Sequence, residues 1–407
     1  MKILFVVPYV PNLIRTRPYN LMRFLAERDH QLTLLTLWAN EQEKKSLEAL
    51  QKLGFRVHAV HQPNWRSLLN CLSALPTQAP LQSIYSWNPA LAEQIFRLTS
   101  GGRRYDAIHV EHLRGARYGL NIKSRLKQLG IHLPIIWDSV DSISLLFRQA
   151  MVRSQNALSR QLTGFELKRT ERYEGGLVQQ FDRVLVTSLP DKKALASLAG
   201  LDLECAPISV LRNGVDLAYF QPGPPEGRAE NTIVISGKMS YHANVAMALS
   251  FVQDIMPLVW ARRPDIKVCI VGKDPPRKVR ALSQNPKIVV TGTVEDIRPY
   301  LQTATLAAAP IAYGVGIQNK VLEAMACGAP VVATPQAVAA LESVQDRDVL
   351  VAQGPAAFAE AVLVLLNDPR KRTGISQAGR QFVEQQHNWA TVAGQLEKIY
   401  LEALPGR

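Results

Sequence analysis

A buried apolar strand, a loop, a helix and a second strand open this chain, and that alternation stops once and then starts again. KILFVV reads as a strand buried on both faces, and YNLMRFLAERD has helical spacing. QLTLLTLW, from Gln31, reads as the next strand. Further strands are predicted at FRVHAV, DAIHVE, PIIWDS and RVLVTS, with helices at ALAEQIFRLTS and from about Leu145 to Gln180. This order is the start of a doubly wound parallel sheet. The segment QPGPPEGRAEN then breaks the pattern with Pro, Gly and charge, as a linker does. Beyond it the alternation restarts: strand TIVISG, helix MALSFVQDIMPLVW, strands KVCIVG and KIVVTG, helix VEDIRPYLQTA, strand LAAAPI, helix NKVLEAMACG and strand PVVATP. Gly328 fits a helix C-terminal cap with Pro330 beyond it. ATVAGQLEKIYLEAL closes the chain with helical spacing. The fold class expected is α/β, two doubly wound domains in succession.

Length agrees, because 407 residues suit two domains of roughly 200 each. No apolar run reaches the roughly 20 residues that span a bilayer. The opening MKILFVVPYVPN is read as a first strand rather than a signal peptide, since Pro8 and Pro11 follow with no small-residue cleavage site. Cys71, Cys205, Cys269 and Cys327 are scattered without metal-like spacing, as expected of reduced thiols in a cytoplasmic protein. The net charge of +13 calls for an acidic partner. No zinc-finger or RNA-recognition pattern supports nucleic acid, which leaves pyrophosphate compounds and anionic lipid.

Four stretches carry a family resemblance: RNGVDLAYFQP (212–222), GKMSYHANV (237–245), GVGIQNKVLEAMACGAPVVAT (314–334) and NWATVAGQLEKIY (388–400). Together they resemble the retaining glycosyltransferases of family 4, with order and spacing matching across nearly the whole chain. PYVPNLIRTRPYNLMRFLA and SYHANVAMALSFVQDIMPLV are similar to a bacterial branch associated with exopolysaccharide and PEP-CTERM protein-sorting gene clusters. The resemblance implies a GT-B fold, two Rossmann-like domains facing a cleft. The expected acceptor domain is 1–220, with 385–407 packing back on it, and the expected donor domain is 231–384. It implies transfer of a sugar from a nucleotide-diphosphate sugar to a glycan or glycolipid acceptor. Retention is expected, with no cofactor and no metal. The expected location is the cytoplasm, peripheral on the inner face of the membrane.

Candidate residues follow from chemistry and from the resemblance together. Gly314, Val315, Gly316 and Ile317 form a loop opening onto a helix N-terminus, where backbone N–H groups and the helix dipole favour phosphate. The resemblance assigns Glu323, inside that helix, to ribose hydroxyls. Val315 stands eight residues earlier, where many members carry a second glutamate. Gly237 and Lys238 sit at a strand-to-helix turn, where a cation stabilises the departing diphosphate. Members commonly carry a second lysine about five residues on. Here Ala243 occupies that place, and Lys320 is the candidate substitute. The resemblance puts His112 near a hydroxyl of the donor sugar, and the backbone of Gly292, Thr293 and Val294 against the nucleotide base. Asn12, Arg15 and Arg17 of the first loop, and Asp138 and Asp141 of DSVD, are expected at the acceptor. The cluster His109, Glu111, His112 does not read as a metal site, because strand residues 109 and 111 share one face and 112 points away.

A basic, partly apolar stretch at 145–168, with Leu145, Leu146, Phe147, Arg148, Arg153, Arg160 and Lys168, suits an anionic membrane surface. Rival readings are a nucleotide-sugar epimerase and a non-catalytic nucleotide-sugar-binding protein, the second suggested by Val315 and Ala243. A dinucleotide dehydrogenase fails on the first strand, which no Gly-x-Gly-x-x-Gly follows.

Overall fold

The computed structural model describes residues 1–12, 15–101, 105–153, 157–313 and 317–404. Gly314, Val315 and Gly316 lie outside the described residues, as does the side chain of Arg153. The chain divides into two units, Met1–Arg212 with the segment from Ala390 onward, and Asn213–Trp389.

The first unit holds a parallel sheet of β1 (Lys2–Val7), β2 (Gln31–Trp38), β3 (Arg56–His61), β4 (Ala107–Glu111), β5 (Ile135–Val140), β6 (Arg183–Val186) and β7 (Ile208–Val210). Their order is β3-β2-β1-β4-β5-β6-β7. β1 is buried along five of its six residues, and β4 along all five. Strands covered by helices on both faces need such runs. β4 nevertheless carries His109 and Glu111, and buried polar groups need partners. β7 lies at an edge and was not anticipated. The helix expected from Leu145 to Gln180 is two helices, Ile143–Arg153 and Ala157–Val178. Glu174 of the second accepts from the backbone N–H groups of Ile143 (2.8 Å) and Ser144 (3.1 Å), filling the open start of the first. The first long helix, Thr16–Ala26, begins three residues before the expected Tyr19. Pro18 sits in its first turn, where a missing N–H costs nothing.

The second unit repeats the plan with β8 (Thr232–Ser236), β9 (Lys267–Val271), β10 (Ile288–Gly292), β11 (Leu306–Ala309), β12 (Val331–Ala333) and β13 (Leu350–Val351). Their order is β10-β9-β8-β11-β12-β13, all parallel. Gly328, at φ +69°, ends helix Asn319–Ala326 as a left-handed cap. The helix expected at 247–260 starts earlier, at His242, and passes through a π-turn at Phe251–Ile255. There the Met256 N–H reaches back to the Phe251 carbonyl. Pro257 has no N–H and its ring crowds the preceding turn, so one wider turn relieves the clash. His242–Trp260 is the one helix among the described residues long and apolar enough to cross a membrane, and half of it is buried. Its Met247, Phe251, Met256 and Val259 are part of the second unit's core.

In each sheet the chain reverses direction of progress between two central strands, β1 and β4 in the first and β8 and β11 in the second. Ligands of such sheets bind beyond the carboxyl ends of those strands.

Candidate functional site

In the second unit, β8 runs into Gly237 at φ +146°. The turn lies flat against the loop after β9: a Cβ on Gly272 would sit 1.7 Å from the Gly237 carbonyl oxygen. Glycine at 272 permits that approach. Asn244 is buried and joins the two sides of the switch point. Its Nδ2 donates to the Lys238 carbonyl (2.9 Å), and its Oδ1 accepts from the Lys320 ammonium on helix Asn319–Ala326. Ala243 is also buried and borders a cavity with Lys320. Lys320, the candidate substitute, reaches Asn244, the residue next to Ala243. Lys238 itself is exposed.

Two helices start here, at His242 and at Asn319, and neither is capped by its N-cap side chain. A cavity of about 200 Å³ is lined by Tyr241, Ala243, Asn244, Ile311, Tyr313, Gln318 and Lys320. His242 is stacked on Tyr313 and hydrogen-bonded to its hydroxyl. Uncapped helix starts beside a lysine make an anion site. Burial brings the Lys320 ammonium down to about 8. Burial also raises the Glu323 carboxyl, one turn further in, to about 7, with Lys320 opposing. Ile317 is buried in the core. Gly292, at φ +72°, and Thr293 line a second cavity of about 250 Å³ with Asp274, Pro275, Arg280, Val290 and Thr291. Val294 packs its side chain against the core.

In the first unit, Tyr9 lies just past β1 and donates its hydroxyl to Glu111 Oε1 (2.7 Å) at the end of β4. Burial, then the Asp138 charge, raises the Glu111 carboxyl to about 8, so it is a neutral acid at pH 7. Its Oε2 has no partner among the described residues. His112 follows at φ +64°, a strained conformation for a residue with a side chain. Its Nδ1 accepts from the Arg114 N–H (3.3 Å), so the neutral ring presents Nε2–H outward as a donor. Burial, then Arg114, brings the imidazole down to about 3 and keeps it neutral.

Two acceptor-contact expectations need correction. Arg17 is drawn into the early helix start and is buried, as is Asp138. Arg17 donates to Asp138 through Nε (2.8 Å) and Nη2 (3.1 Å), and to the Leu211 carbonyl through Nη1 (3.0 Å). Asp138 also accepts from the Val140 N–H (3.1 Å) and faces His109 Nε2 at 3.4 Å. His109 in turn is hydrogen-bonded to the Tyr400 hydroxyl (2.8 Å). These groups are occupied with one another and tie the closing helix to the first sheet. Asp141 is half-buried and accepts from Thr187 Oγ1 (2.9 Å), with burial, then Asp191, raising its carboxyl to about 7. In the first loop, Asn12 Oδ1 accepts from the Arg15 N–H (2.9 Å). Arg15 pairs with Glu43 (3.0 Å) and lies over the Tyr9 ring.

Sequence reasoning passed over Tyr9, Asn244 and Tyr313, and weighed Glu111 only as a metal ligand. Tyr9 had a signal, since it lies two residues past a first strand. Asn244 had none, because Lys320, one of its two partners, lies far along the chain on helix Asn319–Ala326. Among the described residues no three His, Cys, Asp or Glu side chains converge as a metal site. A larger cavity, about 370 Å³, lies beside Lys2, Gln31 and Arg56, at the amino ends of the strands and away from the switch point.

Residues 15–219 match the family model described as Glycosyltransferase Family 4, and residues 230–368 match the one described as Glycosyl transferases group 1. A GDP-mannose-dependent monoacylated alpha-(1-6)-phosphatidylinositol monomannoside mannosyltransferase from Corynebacterium glutamicum is 31% identical over 217 residues, 46% of this chain and 55% of that protein. A glycogen synthase from Mycobacterium tuberculosis is 28% identical over 260 residues, 60% of each chain. The matches thus span little more than half of these relatives. Among solved structures, HepE from Anabaena in complex with UDP and glucose superposes with a TM-score of 0.70 at 15% identity, covering 99% of this chain and 100% of that one. A glycosyltransferase from Rickettsia africae gives 0.71 at 16% identity, covering 100% and 99%. At these identities the structural likeness speaks for the fold, which is the GT-B type with two Rossmann-like domains.

Proposed function

The chain belongs to glycosyltransferase family 4, and from that premise we propose that it moves a sugar from a nucleoside diphosphate sugar to a glycan or glycolipid acceptor, with retention and without a metal. The observation that carries this reading is the anion site at the second switch point, where Lys320, held by Asn244, meets two uncapped helix starts. In this reading the bond from the sugar's anomeric carbon to the diphosphate oxygen breaks, and the electron pair leaves with the diphosphate. Lys320, Lys238 and the helix N–H groups stabilise that charge. The acceptor hydroxyl bonds to the same face of the sugar and gives its proton to the leaving phosphate. Glu323 holds ribose hydroxyls, and the cavity beside Gly292 and Thr293 takes the base. In the first unit, His112 offers Nε2–H to a sugar hydroxyl, while Asn12, Arg15 and Asp141 remain acceptor candidates. The exopolysaccharide branch and a location at the inner face of the membrane belong to the same proposal.

GDP-mannose, named for the mannosyltransferase relative, and UDP-glucose, with which HepE has also been solved in complex, are the first donors to screen against a glycolipid extract. Transfer with the anomeric configuration kept, read by NMR, supports the proposal. A changed sugar formed from donor alone makes the protein an epimerase instead, and tight binding without turnover makes it a binding protein. Turnover is expected to survive excess EDTA; loss on chelation that manganese or magnesium restores overturns the metal-free mechanism.

Nucleotide affinity has an expected pH profile. Diphosphate binding favours charged Lys320, and ribose binding favours ionised Glu323. Affinity for UDP or GDP therefore peaks between about 7 and 8, falling below as Glu323 is protonated and above as Lys320 loses its proton. Glu323→Gln is expected to flatten the acid side and weaken binding about 10-fold, on the order of 1–2 kcal/mol for a hydrogen bond to a charged group. Calorimetry across pH checks this; wild-type affinity and an unaltered acid limb in folded Glu323→Gln remove Glu323 from the site.

A further inference from the structure

Helix Asn64–Ala74 turns an apolar face to solvent. Trp65, Leu68, Leu69, Leu72 and, at its end, Leu75 are between 49 and 62% exposed. Their spacing puts them along one side of the helix. The opposite side is fastened to the protein. Ser67 and Ala74 are buried, and Asn70 Nδ2 donates to the Trp87 carbonyl (2.9 Å). Arg169, buried on helix Ala157–Val178, donates to the Ala74 carbonyl (2.6 Å) and to the Thr77 carbonyl, closing the helix end. That second helix adds exposed Leu162 and Phe165, the ring of Phe165 lying under Arg169. Scattered exposed leucines need no explanation, but a fixed stripe of this size does.

Charge identifies the occupant. No acidic residue occurs between Glu48 and Glu93, nor between Asp141 and Glu166. Glu166 is taken up by Arg169 (2.9 Å) and the Leu81 N–H (2.9 Å). Exposed Arg160, Lys168 and Arg172 border the second helix. A second copy of this chain would bring the same basic border and the same net charge of +13, setting like charges together in a symmetric pair. An anionic bilayer offers both an apolar interior and complementary charge. The stretch at 145–168 contributes less apolar surface than its sequence suggests, since Leu145, Leu146 and Phe147 are half-buried and Phe147 packs against the core.

We propose that helix Asn64–Ala74, with Leu162 and Phe165, seats this protein on an anionic phospholipid bilayer. The inference rests on the reading of the acceptor as membrane-borne, and it gives the first unit the surface that reaches such an acceptor. An amphipathic helix of this kind lies in the interface with its apolar side roughly 5–10 Å deep. The basic border adds attraction that salt screens, over a Debye length falling from about 10 Å at 0.1 M to about 3 Å at 1 M.

The full chain is sedimented with vesicles of phosphatidylglycerol and phosphatidylcholine, with neither donor nor acceptor present. The wild type is expected to bind, more weakly as salt rises and more weakly to phosphatidylcholine alone. Leu68→Ser with Leu72→Ser is expected to reduce binding about 10-fold or more. Arg160→Glu with Lys168→Glu is expected to remove the preference for phosphatidylglycerol. All four side chains are exposed, so folding and UDP or GDP affinity are expected to hold. Absence of wild-type binding overturns the proposal, as does equal binding by the leucine variant. So does a wild-type dimer that the leucine variant splits while vesicles are ignored, which would make the face a self-interface. Vesicle binding without any transferase activity keeps this surface and removes the proposed function. Transfer to a soluble acceptor without vesicle binding does the reverse.

Discussion

Asp138→Ala is expected to destabilise the first unit by about 3–5 kcal/mol, the usual cost of removing one partner from a buried ion pair. The carboxylate is fully buried, and two Arg17 nitrogens, one backbone N–H and the His109 ring converge on it. Without it the buried Arg17 guanidinium loses its carboxylate partner. Domains of this size have about 5–15 kcal/mol in total, so the loss is a large share. Burial alone would raise the Asp138 carboxyl, but Arg17 and then His109 outweigh it and hold it below the ordinary range. Its contribution is therefore present above the unfolded carboxyl value of about 3.9 and lost as pH falls through the folded one. Glu111 and Asp141 run the other way. Raised to about 8 and about 7, they stabilise the fold below the unfolded value and cease to as pH rises through the folded one. Urea titration followed by tryptophan fluorescence checks the variant, with Trp137 in the first unit's core as a reporter. Two units make a single two-state fit unsafe, so the first unit's transition is the quantity to read. An unchanged midpoint for that transition defeats the prediction.

The two parallel sheets were legible because their strands are buried on both sides, and continuous apolar runs such as KILFVV and QLTLLTLW announce that directly. The boundaries were less legible where a local rule had two outcomes. The helix was expected to begin at Tyr19, after Pro18, yet proline is equally at home in a first helical turn. That one choice decides whether Arg17 faces solvent or Asp138. β7 is three residues long and escaped for want of length.

For the candidate site, sequence could single out residues that lie together along the chain and not those that meet only in space. The helix that carries Glu323 was legible from its spacing. Asn244 bonds to Lys238 and Lys320, which are separated from each other by a sheet's worth of chain, and no periodicity encodes that meeting. Ala243 looked like a missing charge. It is buried at the edge of a cavity, and the Lys320 ammonium reaches the neighbouring Asn244 from another helix. Strain was invisible too. Val140 sits at φ +67°, rare for a β-branched residue, at a register shift where β5 meets β6. Its neighbours Asp138 and Asp141 read only as acceptor contacts.

Lys320→Met is expected to lower kcat for transfer about 10²–10³-fold, the usual loss when one preorganised group facing a developing negative charge is removed. Methionine keeps an unbranched stem of similar reach and deletes the ammonium alone. The ammonium sits where burial has already lowered its pKa to about 8, so water screens it little and its field on a diphosphate is strong. The same burial means the folded protein gains little from the charge, and the variant is expected to keep its unfolding midpoint. A fall in rate at constant stability separates a chemical role from a structural one. Lys238→Met is expected to cost less, because its side chain is exposed and its field is weakened by solvent. Asn244→Ala tests the positioning. It leaves both lysines in the chain but takes from the Lys320 ammonium an acceptor that favours its charged form, so kcat is expected to fall while the pH at which nucleotide affinity declines on the alkaline side moves down. Stopped-flow or radiolabel transfer assays on the three variants, with UDP and GDP binding measured beside them, give the comparison. If Lys320→Met turns over at the wild-type rate, the diphosphate charge is met elsewhere, and the switch point of the second sheet loses its place as the reaction's anion site.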